Sequence, residues 1–327
     1  MTLSVEPLAP ERRDEWNRFV DESNGGTLFH RLDFLAYHHD RFEENECHLV
    51  IRKGDALFGV MPMAIFDEED GRVARSPYGG SYGGPVFAKP LHYAESREVL
   101  QALLAFFEER DVAASKIVWP IPCCYAEPSD TLRLVFVEEG FRLANRDTSS
   151  VVCLDDRLEL ATEVQSRKAR LDRKMRKARE EGVEIAHRAP TEDFWQVLEK
   201  SFSRLDVKPT HTFEEIVWLR SNLQDRVQLD VAYLGGVPIA SIALFFVNHR
   251  VGVTFYLCVD PDHRTTQAQT LLIREAMDRL QKQNVPWLDL GTSSSQQRAR
   301  PNLFRFKESF GAVGQFRETY VWRRDAS

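Results

Sequence analysis

The sequence has no apolar run approaching the roughly 18–20 residues that cross a bilayer, so no membrane-embedded helix is expected. Its opening stretch carries neither a basic n-region nor an apolar h-region, and it reads as no signal peptide. Cysteine is scarce: Cys47, Cys123, Cys124, Cys153 and Cys258 are the whole set, with no C-x-x-C pair. An odd, unpatterned set argues against a disulfide framework and against a thiolate zinc site. It suits a reducing compartment, and a cytoplasmic location is expected. The histidines lack H-E-x-x-H spacing, and the adjacent pair His38-His39 suits chelation poorly, so no metal is expected. Ser293, Ser294 and Ser295 form no G-x-S-x-G elbow and are read as loop. Nor is there an excess of positive charge. A net charge of −7 argues against a protein that binds polyanions over its whole surface, while leaving room for a local basic patch.

What is present is an ordinary globular composition, 43% hydrophobic and 28% charged, in a chain of 327 residues that is long for one core and comfortable for two. In the first half the patterns predict helices over Glu11–Ser23 and Leu32–His39. His48–Ile51 and Leu57–Met63 read as a hairpin about Lys53-Gly54-Asp55. Ser76–Phe87 holds four glycines and two prolines, which forbid a regular helix. A helix over Tyr93–Arg110, a strand over Lys116–Trp119 and a helix over Ser129–Glu139 follow. A long helix spans Leu160–Glu181, with Val164, Leu171, Met175 and Ala178 on one stripe, and Gly182 ends it before a strand over Val183–Ala189. Then come helices Thr191–Leu205 and Thr212–Leu223, and strands Val227–Leu234, Ile239–Val247 and Arg250–Val259. A helix Gln267–Gln283, a strand Trp287–Leu290, a helix Leu303–Phe310 and a strand Gln315–Trp322 close the chain. No residue-level internal repeat is present, although the first half gives a looser version of the order of the second.

The closing stretch DLGTSSSQQRARPNLFRFKESFG is the most specific piece. Asp289, Gly291, Leu303, Phe306, Lys307, Phe310 and Gly311 match a D-x-G strand end, a variable polar loop and an L-x-x-F-K-x-x-F-G helix. The basic helix SRKARLDRKMRKAREEGVEI, the opening GTLFHRLDFL and the loop SPYGGSYGG agree with it. Together these resemble the Fem-type aminoacyltransferases, which join amino acids to peptidoglycan precursors, and related GNAT-like acyltransferases. The resemblance implies an α/β fold with mixed sheets and two GNAT-like halves in tandem. The acceptor half would be residues 1–155 and the donor half 156–327, with the closing strand free to pack back on the first half. It implies an aminoacyl-tRNA or acyl-CoA co-substrate and no permanently bound cofactor. It also puts Phe306 and Lys307 at the catalytic centre, the lysine stabilising charge that develops during transfer. One departure bears on the donor. Asp260–Leu272, where GNAT enzymes carry a glycine loop for the pyrophosphate of coenzyme A, has no glycine. Thr265, Thr266 and the helix N-terminus there can hold one phosphate.

Each candidate has a plain alternative. Lys307 is either a solvated lysine or the cation beside an oxyanion. Tyr256, on a strand, is either core or an acid for a leaving group, and Tyr320 reads the same way. Asp260 and His263 are either loop residues or bases. Arg264, Thr265, Thr266, Gln267 and Arg305 are the candidate donor contacts. Tyr78, Gly79, Gly80, Tyr82 and Gly83 either form a connection or line an acceptor cleft. Arg167, Arg170 and Lys174 lead a basic helix face that is either solvated and paired with glutamates or set against a tRNA backbone. Three functions stay open: aminoacyl transfer to a cell-wall precursor, acyl-CoA-dependent transfer to an amino sugar or small amine, and ligand binding without catalysis. Oligomeric state is left open.

Overall fold

The computed structural model describes residues 3–155, 163–203 and 208–324, and of residues 163–168 the backbone only. The expected domain boundary near residues 154–159, the first residues of the long helix with Val164, and the end of the helix expected to reach Leu205 lie wholly or partly outside that description. The first half contains strands β1 (Leu3–Pro7), β2 (Leu49–Lys53), β3 (Ala56–Met61), β4 (Ala64–Glu68), β5 (Gly71–Ser76), β6 (Val86–Phe87), β7 (Val112–Val118) and β8 (Arg142–Cys153). Its helices are α1 (Arg13–Glu22), α2 (Leu32–Leu35), α3 (Tyr93–Glu109) and α4 (Thr131–Glu138). Next come α5 (Glu163–Glu180), β9 (Val183–Ala186), α6 (Thr191–Ser203), α7 (Phe213–Asn222), β10 (Val227–Leu234), β11 (Val237–Phe246) and β12 (Val251–Val259). The chain closes with α8 (Ala268–Lys282), β13 (Trp287–Thr292), β14 (Ser294–Ser295), β15 (Arg298–Ala299), α9 (Pro301–Glu308) and β16 (Val313–Arg323).

The chain forms two units. One is Met1–Thr148 with Gln296–Arg298 and Phe316–Ser327; the other is Ser149–Ser295 with Ala299–Gln315. β8 passes from the first into the second, and the closing strand returns to the first. Within the first unit one sheet runs β1-β2-β3-β6 and strands also pair in the order β4-β5-β7-β16-β8. α3 buries Val99, Leu100, Leu103, Phe106 and Phe107, a 3–4 spacing that gives one apolar stripe, and it is capped at Arg110 before Asp111 turns to φ +52°.

Within the second unit the order is β8-β13-β12-β11-β10-β9. β11 is buried along nearly its whole length, which is why its sequence is apolar at every position but Ser241 rather than alternating. α6 and α8 both pack on it. α7 starts where the sequence allows a reciprocal cap: the Thr212 side chain accepts the Glu215 N–H, and the Glu215 side chain accepts the Thr212 N–H. Leu171 and Ala178 of α5 are buried in this core with Met175 packed against it, the helical stripe the sequence shows.

The elements expected over β10, β12, α3 and α8 lie within one or two residues of the observed ones. β1, β4 and β5 have no counterpart in the sequence reading, and β8 answers only to the unplaced strand that closes the looser first-half order. β4 and β5 are short, polar toward their Asp70-Gly71 turn and partly exposed, so alternation is weak. The first seven residues of β8 are exposed or half-buried and carry charges, and only Ser149–Val152 shows the buried pattern of a core strand. No helix among the described residues is long and apolar enough to cross a membrane.

Candidate active site

The second unit brings β12, β13, α8 and α9 together where two parallel strands part. β12 and β13 pair over Val251–Val253 and Trp287–Asp289 only, after which β12 runs on to Val259. β13 instead turns at Gly291, whose φ of +81° is in the left-handed region that glycine tolerates. Asp289, 2% exposed, accepts the Gly291 N–H on Oδ1 at 2.7 Å and so fixes that turn. From α9, Lys307 reaches back to the same turn. Its Nζ donates to the carbonyls of Gly291 at 2.8 Å and Thr292 at 2.7 Å. The D-x-G and F-K pieces of the sequence are thus one framework: the aspartate sets the turn and the lysine ties its carbonyls.

Lys307 is 6% exposed, so the solvated alternative does not hold. Burial pushes its pKa down to about 8, with Asp289 pulling it up and Arg300 adding to the fall. Its neighbour Phe306 packs edge-on to Phe310, which is buried, and faces a groove. That groove, about 460 Å³, is lined by Leu257 and Val259 of β12, Gln269 and Thr270 of α8, Ser201 of α6, and by Lys174, Arg264, Gln267 and Phe306. Its size is that of a ligand pocket.

The structure thus gathers four expected residues, Phe306, Arg264, Gln267 and Lys174, around one groove, with Lys307 one residue from its wall. The others fall elsewhere. Thr265 is exposed and Arg305 lies on the exposed side of α9. Thr266 is buried; its hydroxyl donates to the His263 carbonyl at 2.7 Å and accepts the Ala268 N–H at 3.4 Å, so it serves the loop itself. The Asp262 and His263 N–H groups also bond within the loop, to Asp260. The loop therefore consumes backbone donors that a glycine loop would offer to a pyrophosphate. Gln267 takes φ +60°, a left-handed position for which glycine is the usual choice.

Tyr256 faces away from the groove. Adjacent strand residues face opposite sides, so Leu257 and Val259 line the groove while Tyr256 packs on Phe194 and Phe202 of α6. Its hydroxyl accepts the His211 N–H at 3.1 Å and shares a hydrogen bond with His211 Nδ1 at 2.9 Å. That engagement makes it a poor proton donor to a leaving group. Asp260 is buried, which raises its pKa, but the Asp262 N–H and Lys200 at 3.1 Å outweigh this and hold it below its usual value. A carboxylate so held is a weak base. Tyr320 is 8% exposed in the core of the first unit, as the plainer alternative had it.

On the basic helix, Arg170 and Lys174 are exposed, whereas the side chain of Arg167 lies outside the described residues. Lys177 and Arg179 pair with Glu181 and Glu275 at 3.5 and 2.9 Å, the solvated, paired alternative. In the first unit the glycine loop turns its tyrosines inward. Tyr78 donates to Glu46 Oε1 at 2.9 Å, and Tyr82 packs on Phe29 with the Arg317 guanidinium 4.9 Å above its ring. A side chain at Gly79 would run into His38 and one at Gly83 into Ser76 and Pro77, so those glycines answer to packing, and Gly79 and Gly80 form the more open edge. Ser201, Gln269, Thr270, Leu257 and Val259 were not foreseen. The alternation along β12 is the one sequence signal that could have found the last two.

Residues 165–308 match the family model described as an acetyltransferase (GNAT) domain. No curated protein matches the chain by sequence. Among solved structures the chain is similar to FemX, with a TM-score of 0.70 at 11% identity over 98% of this chain and 97% of that one. It is similar to L-PGS from Bacillus licheniformis, with a TM-score of 0.60 at 13% identity over 98% and 94%. It is also similar to a tandem GNAT protein from the clavulanic acid biosynthesis pathway, with a TM-score of 0.57 at 13% identity over 99% of each. The fold is thus a tandem of two GNAT-like halves, of which the second carries a GNAT-type acyltransferase domain.

Proposed function

We propose that the chain transfers an acyl or aminoacyl group to an amine acceptor, with Lys307 as the fixed cation of the reaction. The observation that carries this reading is the lysine itself: buried, aimed by two backbone carbonyls, and next in the chain to Phe306, which walls the groove. An ammonium has three donors, and two are used here. The third would meet the oxyanion that forms when the acceptor nitrogen attacks the donor carbonyl. A C–N bond then forms, the donor C–O or C–S bond breaks, and the amine proton leaves with the leaving group or to water. No covalent enzyme intermediate is required, and holding both reactants supplies the rest.

For the donor we favour an aminoacyl-tRNA, with a cell-wall precursor as acceptor. Support comes from the closing motif and from the loop before α8, whose N–H groups of Asp262, His263 and Ala268 are internally engaged. Lys174 and Arg264 on the groove wall would offer cations to a phosphate bound there. The second reading, an acyl-CoA donor with an amino sugar or small amine as acceptor, is favoured by the acetyltransferase family match to residues 165–308.

A thermal-shift comparison of acetyl-CoA, coenzyme A and UDP-linked muropeptides separates the readings. A rise of several degrees at saturating muropeptide, roughly what binding at 100 Kd gives, is expected with no rise from coenzyme A. A rise with coenzyme A replaces the tRNA reading by the acyl-CoA one. Muropeptide binding without turnover of any charged tRNA or acyl-CoA removes the catalytic reading.

A further inference from the structure

We propose that the first unit carries a second binding site, independent of the acyl-transfer groove, for a small oxyanion head: a carboxylate or a single phosphoryl group. The site is a cavity of about 40 Å³ whose wall includes Lys89, Trp119, Tyr125, Ser129 and Arg133. No carboxylate lies on that wall, and the rest of it is mainly proline and apolar side chains. Asn24, also on the wall, has both ends of its amide bound to the backbone of Glu127 at 2.9 Å. The charged groups left facing the cavity are therefore both cations.

Arg133 is the central one. Its side chain is 17% exposed, and its guanidinium lies 5.8 Å from the Trp119 ring and 6.0 Å from the Tyr125 ring, a placement that holds it against the cavity. Its ion pairs are long: 3.3 Å to Asp130, whose side chain is 89% exposed, and 3.6 Å to Glu318. Glu318 is already held by Arg146 at 2.7 and 2.8 Å. Its Nη2 also donates to the Pro120 carbonyl at 3.4 Å, and it hydrogen-bonds the Tyr125 side chain, so its partners are neutral groups and carboxylates at 3.3 Å or more, and part of its charge stays uncompensated. Trp119 is 3% exposed, and its indole N–H meets no acceptor among the described residues. A buried donor, a half-buried guanidinium and an exposed ammonium on one wall make a donor set matched to an acceptor-only group.

Size narrows the ligand. One water needs about 10–15 Å³, so the cavity holds a group of a few heavy atoms and excludes a nucleotide. The rest of a larger ligand would have to lie outside it.

The test follows the Trp119 indole resonance in two-dimensional proton–nitrogen spectra, assigned with Trp119→Phe. The protein is titrated with sodium acetate and with sodium phosphate, and with sodium chloride at matched ionic strength. A saturable shift of that resonance with acetate or phosphate is expected, and none with chloride; the tighter of the two names the head group. Arg133→Met should weaken the binding about tenfold or more, the loss expected for a charge-assisted hydrogen bond. Lys89→Met, at an exposed position, should weaken it a few fold without touching the fold, and it decides the matter if Arg133→Met does not fold. No shift with either oxyanion up to ~50 mM, an equal shift with chloride, or a saturable shift indifferent to the two substitutions would overturn the site.

Discussion

The two groups that hold Lys307 are neutral. Carbonyl dipoles fix the ammonium in place without cancelling its charge, as a carboxylate in direct contact would, and Asp289 acts on it only through space. Burial makes that charge costly, which is why the pKa falls to about 8 from an ordinary 10.5. The sign follows for stability. Between about pH 8 and 10.5 the unfolded chain binds this proton more tightly than the folded chain. Folding is therefore favoured increasingly as pH rises through that window, and the full cost of charging the buried lysine is present below it. Lys307→Met should flatten this rise in a series of melts from pH 7 to 10 while preserving the fold. In turnover assays the same variant should lose about 10²–10³-fold in kcat. The wild-type rate should fall as pH rises through about 8, where the lysine loses its proton. Retained turnover in Lys307→Met would remove the lysine from the chemistry. Arginine should not rescue, because a planar fork cannot follow the path of a compact ammonium to two adjacent carbonyls.

Helices and strands that repeat one local signal are the ones the sequence displays. α8 shows a 3–4 apolar stripe and β11 an apolar run broken only at Ser241, and each was legible before any tertiary contact was known. α7 was legible from its start, because Thr212 and Glu215 sit three apart ahead of an apolar stretch. β4, β5 and β8 were not, since partly exposed strands with charged residues lack a period to detect. The candidate site divides in the same way. Phe306 and Lys307 were visible because the motif is contiguous. The groove was not, because its wall is assembled from α5, α6, β12, α8 and α9, segments spread across more than a hundred residues. The placement of Tyr256 needed only the strand period, but its partner His211 sits 45 residues away. The cap of α7 gives an element-scale test. Thr212→Ala removes the acceptor for the Glu215 N–H and should cost about 1 kcal/mol, read as a lower urea midpoint at unchanged slope. An unchanged midpoint would mean that packing of Ile216 and Leu219 alone holds the helix.

At the scale of the whole chain, the last strand from Phe316 on belongs to the first unit although α9, just before it, belongs to the second. β16 pairs with β7 from Thr319↔Val118 to Arg323↔Ala114, and the Trp119 N–H donates to the Glu318 carbonyl at 3.1 Å. Tyr320 lies in the core that α3 and α4 cover, and Trp322 packs against it with ring centroids 5.8 Å from Phe107 and 6.2 Å from Phe141. Deleting two such aromatic side chains costs of order 3–5 kcal/mol each, and a domain's whole stability is about 5–15 kcal/mol. Stripping β7 of its ladder partner adds to the loss. The first unit therefore should not fold from its own contiguous residues. A chain truncated after Gly314 is expected to lose the cooperative melt of the first unit and the near-ultraviolet signal of its aromatic core. The second unit, whose core cluster ends at Ala312, should keep its own transition. A synthetic peptide of residues 315–324 supplied in trans should restore the lost transition in a concentration-dependent way, as any ligand of the folded state does. A truncated chain that melts like the full one would show instead that α3, α4 and β7 suffice, and that the returning strand is a covering added to a unit already stable without it.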